Sequence, residues 1–185
     1  TGKEDSLDVL RLGPRVFQIK GAVVRKEKRD PMWLAVDDPA LYAATALTDA
    51  LTRRGIHVEG RPTVRHRAED AAAPDTGGLM TLAQRESPPL SELIKVTDKV
   101  SQNLWAELML REVSRAATGV GSRRGGLDEL ARFLQEAGVE KEDYAFADGS
   151  GLSRLGLVTP EATVQLLRKM HQSAAREVWM AALPV

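Results

Sequence analysis

Helix start and stop signals punctuate this chain at regular intervals and confine what it can fold into. Asp38 followed by Pro39 is the clearest start. An aspartate accepts hydrogen bonds from the unpaired first amides of a helix, and proline fits the first helical position, where its missing N–H costs nothing. Ala40, Leu41, Ala44, Leu47 and Leu51 then fall on one face, and Gly55 stops the run. Ser87-Pro88-Pro89 turns the chain into a second helix through about Lys99. Leu104, Trp105, Leu108, Met109 and Val113 mark a third, ending near Gly119. Leu127, Leu130, Phe133 and Leu134 mark a fourth, closed by Gly138. Thr159-Pro160 caps a last helix, with Val164, Leu167 and Met170 expected on its buried side.

The strand signals are fewer. Residues 6–28 read as strands: Val16–Lys20 partly alternates apolar and polar residues, and Ala22–Arg25 follows a glycine. Ile56–Glu59 and Leu79–Gln84 read as further short strands, and 61–77 as an exposed loop. Hydrophobic residues make up 43% and charged residues 28%, ordinary values for a globular protein. Lys+Arg and Asp+Glu balance at 26 each, so charge gives no support to a nucleic-acid or anionic-membrane partner. There is no cysteine, which removes disulfides and Cys-based zinc sites. No apolar run approaches the roughly 20 residues that span a bilayer. The first residue is Thr1 and the last four, Ala182–Val185, are apolar. We therefore expect a fragment of something longer.

Several segments invite a chemical reading. Gly119–Gly126 is glycine-rich and basic, and Gly121 and Gly126 have phosphate-loop spacing. Leu127 follows instead of Lys and Ser/Thr, so a helix–helix connection is the better reading. His57, His66 and His171 share no helical ligand spacing, and no metal or cofactor is expected. Asp37-Asp38 fits a helix start, and Glu140–Asp143 a solvated turn. Asp148, Ser150, Gly151 and Ser153 belong to a tight glycine loop. Its polar groups can line a pocket or satisfy their own turn, and the turn is favoured. Ser101-Gln102-Asn103 contains the only asparagine of the chain. Ser101 or Asn103 can cap the following helix, with Glu107 in its first turns favouring the dipole. The other reading is a corner of an active site, which needs a third polar partner.

Four blocks in order carry a resemblance: Asp38–Ala44, Ser87–Leu93, Lys99–Glu107 and Asp148–Arg154. From about residue 10 to the end the chain resembles the class C low-molecular-mass penicillin-binding proteins, D-alanyl-D-alanine carboxypeptidases and endopeptidases. The resemblance implies an α/β fold: the helix-rich part of a serine penicillin-binding/β-lactamase-like transpeptidase domain. Residues 1–32 would be the end of an inserted β-rich domain, and 33–185 a partial catalytic domain. That family uses three motifs, Ser-x-x-Lys, Ser-x-Asn and Lys-Thr-Gly. By resemblance, Ser101 and Asn103 are catalytic. Ser101 would relay a proton between the motif lysine and the leaving amine. Asn103 would bind the substrate backbone and hold the lysine. Gln102 departs from the family's usual Asp.

No serine here has Lys three residues on, and neither Thr76-Gly77 nor Thr118-Gly119 is preceded by Lys. The nucleophile is therefore expected outside these residues, and the chain alone is expected to be inactive. The implied partners are peptidoglycan stem peptides ending in D-Ala-D-Ala, with β-lactams as inhibitors of the complete enzyme, in the periplasm or another extracytoplasmic space. Self-association is expected from helix faces that lack cover. Two other expectations stand beside this one: a non-catalytic binder of cell-wall peptides or proteins, and a β-lactamase relative.

Overall fold

The computed structural model describes residues 6–14, 16–23, 31–66, 75 and 77–184. They fall in two compact units, Thr1–His66 and Arg67–Val185.

The first unit holds a hairpin and a helix. Strands β1 (Ser6–Gly13) and β2 (Val16–Ala22) pair antiparallel, with Arg11 opposite Phe17 and a bulge between Arg11 and Gly13. The Arg11 guanidinium lies 4.5 Å from the centre of the Phe17 ring and donates to the Ala35 carbonyl. Helix α1 spans Pro39–Arg53. Asp38 caps it as expected, its Oδ1 accepting from Leu41 N at 3.0 Å. Leu41, Ala44 and Leu51 are half-buried, whereas Ala40 and Leu47 face solvent. Thr45 and Thr48 take their place on the inner side, each donating its hydroxyl to the carbonyl four residues back. The expected strand at 56–59 is absent: these residues form no regular element and have no strand partner among the described residues. The expected strand Ala22–Arg25 reduces to Ala22, the last residue of β2. Residues 24–28 lie outside the described residues, as do 67–74 and 76 of the expected loop.

The second unit is helical. Its elements are α2 (Leu90–Val100), α3 (Asn103–Thr118), α4 (Arg123–Glu136), β3 (Tyr144–Ala145), β4 (Leu157–Val158), α5 (Pro160–Gln172) and α6 (Arg176–Ala182). A short 3-10 turn, Lys141–Asp143, precedes β3, which pairs antiparallel with β4. Leu79–Gln84 forms no strand, and Leu79, Met80 and Leu82 are exposed. Sequence reading missed α6, which at seven residues is too short to show a period. Packing needs it: Ala182 is fully buried, and Lys99 Nζ reaches the Leu183 carbonyl at 2.9 Å.

The core lies where α4 meets β3 and α5. Leu134, Val139, Tyr144 and Ala162 are buried together, backed by Leu130, Ala131, Ala137 and Leu166. On α5 it is Ala162 and half-buried Leu166 and Met170 that turn inward, while Val164 and Leu167 stay largely exposed. Of the expected buried stripe, only Met170 lies on the inner side.

Helices α3 and α4 approach closely, and this overturns the reading of Gly119–Gly126 as a loop. Only 119–122 connect the helices; Gly125 and Gly126 lie inside α4. Gly126 is buried on α3, where a β-carbon would come 2.3 Å from the Leu110 carbonyl oxygen. Ser122 caps α4 by accepting from Gly125 N at 2.9 Å. Gly126 thus permits backbone contact between the helices, and Gly125 leaves room for the Ser114 side chain.

Candidate active site

The corner between α2 and α3 carries Ser101, Gln102 and Asn103. Ser101 is the C-cap of α2 and sits in the left-handed region, φ 56° and ψ 56°. Among the described residues it is the only non-glycine with positive φ. Glycine or asparagine usually fills such a cap. A side chain there brings Cβ against the following carbonyl, at about 1–2 kcal/mol. The turn gains a bond from Gln102 N to the Thr97 carbonyl at 2.9 Å, and α3 starts at once.

The helix-start reading of the triplet is thus corrected. Neither Ser101 nor Asn103 is the N-cap of α3. Gln102 occupies that place without a side-chain cap bond, and Asn103 is the first helical residue. Glu107 lies beyond the first turn and does not serve the dipole. Ser101 is exposed and Asn103 half-buried. Neither side chain has a hydrogen-bond partner among the described residues. Two polar side chains are thus held at a tight corner without a partner from the protein among the described residues.

The glycine loop is built differently. Asp148 accepts from Gly151 N at 2.8 Å through Oδ1, and from Ser153 N at 2.7 Å through Oδ2. The Ser153 hydroxyl accepts from Leu155 N at 3.2 Å. Gly151 has φ 74°, the left-handed turn that this folding-back requires. Asp148 and Ser153 thus satisfy their own turn, with Leu152 and Leu155 outside it and exposed. Ser150 looks elsewhere: its N at 3.0 Å and its Oγ at 2.9 Å both donate to Glu107 Oε1, which also accepts from Gly149 N at 2.9 Å.

Sequence reading missed Glu107 as the link between loop and helix. Spacing gives only half of the signal, a face shared with Asn103; nothing local points to the loop. Asn103 and Glu107 are four residues apart on one helix and share a face. The structure therefore brings the loop to the same face of α3 as Asn103, one turn along. No hydrogen bond joins Asp148, Ser150 or Ser153 directly to Ser101 or Asn103 among the described residues.

The remaining sequence candidates stand apart. In the first unit, His66 Nε2 meets Asp38 Oδ2 at 2.9 Å. The amide of Leu41, first, and His66 hold the Asp38 carboxyl below the ordinary carboxylate range. His57 is exposed, and His171 Nδ1 accepts weakly from Arg176 Nε at 3.4 Å. Among the described residues no group of three or more His, Cys, Asp or Glu side chains is placed to hold a metal ion. No helix among them is long and apolar enough to cross a membrane.

Comparison with known proteins identifies the family. Residues 1–185 match the model of the D-Ala-D-Ala carboxypeptidase 3 (S13) family. A D-alanyl-D-alanine carboxypeptidase of Actinomadura sp. is 31% identical over 150 residues, 81% of this chain and 27% of the relative. The D-alanyl-D-alanine carboxypeptidase DacB of Haemophilus influenzae is 29% identical over 180 residues, 97% of this chain and 36% of the relative. Among solved structures, penicillin-binding protein 4 of Haemophilus influenzae, in complex with a novel β-lactam, matches with a TM-score of 0.79 at 28% identity. That match covers 98% of this chain and 40% of the other. The chain thus spans between 27% and 40% of the length of these relatives. The chain belongs to the D-Ala-D-Ala carboxypeptidase family of low-molecular-mass penicillin-binding proteins, and its helix-rich α/β fold is a portion of a penicillin-binding domain.

Proposed function

We propose that this chain supplies the Ser-x-Asn corner of a serine-type D-Ala-D-Ala carboxypeptidase or endopeptidase acting on peptidoglycan stem peptides. The observation that carries the reading is Ser101: a strained left-handed serine with an unpartnered hydroxyl, two residues from an unpartnered Asn103 at a helix start. Strain of this kind persists where the surrounding structure holds it, and functional sites are where it collects. Ser101 relays a proton between the motif lysine and the leaving amine. Asn103 holds the substrate's peptide backbone. The serine nucleophile and its lysine come from outside these residues, because no Ser-x-x-Lys occurs among them. A peptide carbonyl is attacked, D-Ala leaves, and water clears the acyl-enzyme.

The related structure in complex with a β-lactam supports β-lactams as inhibitors of the complete enzyme. A substrate in the cell wall places the reaction outside the cytoplasmic membrane. On this reading residues 1–32 are the end of an inserted β-rich domain and 33–185 part of the catalytic domain. The glycine loop Asp148–Ser153 forms a wall near the corner.

Labelled penicillin tests the proposal. The 185-residue chain takes up no covalent label, while a protein joining these residues to a Ser-x-x-Lys segment is labelled and loses labelling in Ser101→Ala and Asn103→Ala. Undiminished labelling in both variants overturns it, and covalent labelling of the chain alone overturns the placement of the nucleophile.

A further inference from the structure

The Glu107 carboxylate is built into the fold in a way that neither helix propensity nor surface charge explains. One oxygen, Oε1, receives three donors, Gly149 N, Ser150 N and Ser150 Oγ, all within 3.0 Å. Hydrogen bonds from backbone amides to a carboxylate are charge-assisted and stronger than neutral ones. Asp148 takes two more amides of the loop, Gly151 N and Ser153 N, but Asp148 belongs to the loop itself. Glu107 is the side chain from another element that fastens it.

Gly149 makes the same contact through its backbone. A β-carbon there would lie 2.8 Å from the Ala106 carbonyl oxygen and 3.0 Å from Leu110 Cβ. The loop therefore rests on α3 itself.

The face of α3 that receives the loop runs Asn103, Glu107, Leu110, Ser114, the i, i+4, i+7, i+11 stripe. Its far end is locked. Leu110 is covered by Gly126 of α4, and Ser114, 1% exposed, donates to the Val120 carbonyl at 2.7 Å. Its near end is open, with Asn103 half-buried and its amide unpartnered. The loop's attachment at Glu107 lies about 6 Å along the axis from Asn103, four residues at the helical rise.

We propose that Glu107 is a positioning residue, whose carboxylate locks the Gly149–Ser150 backbone onto α3 so that the glycine loop and the Ser101–Asn103 corner act as one rigid unit on the ligand. The functional half of this inference rests on the reading of Ser101 and Asn103 above; the mechanical half does not.

Asn103, the only asparagine, makes the test direct. Asparagine-selective ¹⁵N labelling of the chain gives one backbone amide signal and one side-chain amide pair. Glu107→Ala and Gly149→Ala each shift both signals, and Glu107→Gln, which keeps an acceptor oxygen, leaves them near the wild-type positions. Exchange of the Ser150 amide quickens about tenfold in Glu107→Ala, the loss of one strong hydrogen bond. Should Gly149→Ala unfold the chain, Ser150→Ala, which removes one of the three donors, takes its place. In a penicillin-labelled protein carrying these residues, Glu107→Ala lowers kcat/KM for acylation about ten- to hundredfold, and Glu107→Gln restores it.

Asn103 signals that stay in place when the loop is released by the substitution at 149 or 150 overturn the inference. So does acylation unchanged in Glu107→Ala while Ser101→Ala abolishes it. If Ser101→Ala leaves acylation intact, the proposed function fails instead, and the signal shifts then report the clamp alone.

Discussion

Gly126 of α4 lies on Leu110 of α3 so closely that a β-carbon at 126 would come 2.3 Å from the Leu110 carbonyl oxygen and 2.7 Å from its Cγ. The obstacle is partly backbone, so a side-chain rotation cannot clear it. Gly126→Ala must push the two helices apart. We expect a loss of about 1–3 kcal/mol, the usual range for overpacking, read as a lower denaturant midpoint. Gly55→Ala is the control. It has open space but a positive φ of 81°, and should cost only about 1 kcal/mol.

Ser101→Gly should stabilise the chain. The left-handed backbone at 101 costs a residue with a β-carbon about 1–2 kcal/mol more than glycine, part of which is offset by glycine's greater unfolded-state entropy. We expect a net gain of up to about 1 kcal/mol, with no such gain in Ser101→Ala. Thermal melts of the two variants check this. The pair also separates strain from chemistry, because both variants lack the hydroxyl.

The Asp38 carboxyl has its pKa held below the ordinary carboxylate range, first by the Leu41 amide and then by His66. Its folded pKa is thus lower than its unfolded one. The stability it contributes is fully present above the unfolded value and is lost as pH falls through the folded one. The start of α1 should therefore fray in acid below about pH 4, followed by amide exchange of Leu41 and Tyr42. In Asp38→Asn the cap remains and this acid sensitivity disappears.

Leu104 and Leu108, one turn apart on α3, are 63% and 50% exposed. Apolar faces of this kind seek cover. Sedimentation velocity of the 185-residue chain should show a coefficient that rises with concentration, and Leu104→Lys with Leu108→Lys should reduce the rise. A concentration-independent monomer in the parent chain would falsify this.

Where the helices begin and end was readable wherever a cap residue has one local job. Asp38, Thr159, Gly119 and Gly138 all act where their residue types suggest. The two expected strands at 56–59 and 79–84 failed because a strand needs a partner, and a partner is not encoded in a short apolar run. Of the apolar stripe read on α5, Met170 turns inward while Val164 and Leu167 stay exposed. The amphipathic period shows that a face exists, while the neighbours, here Leu134 and Tyr144, decide which residues it buries.

The sequence by itself determined five of the six helices among the described residues, the caps at Asp38 and Thr159, and the two polar segments, Ser101–Asn103 and Asp148–Ser153, because those depend on residues close in the chain. Tertiary structure alone decided that Ser101 takes a left-handed turn, since serine has no intrinsic preference for one and only the fit of α3 beyond α2 imposes it. It also decided that Glu107 reaches Gly149 and Ser150. That pairing spans 42 and 43 residues, and no local pattern can carry it.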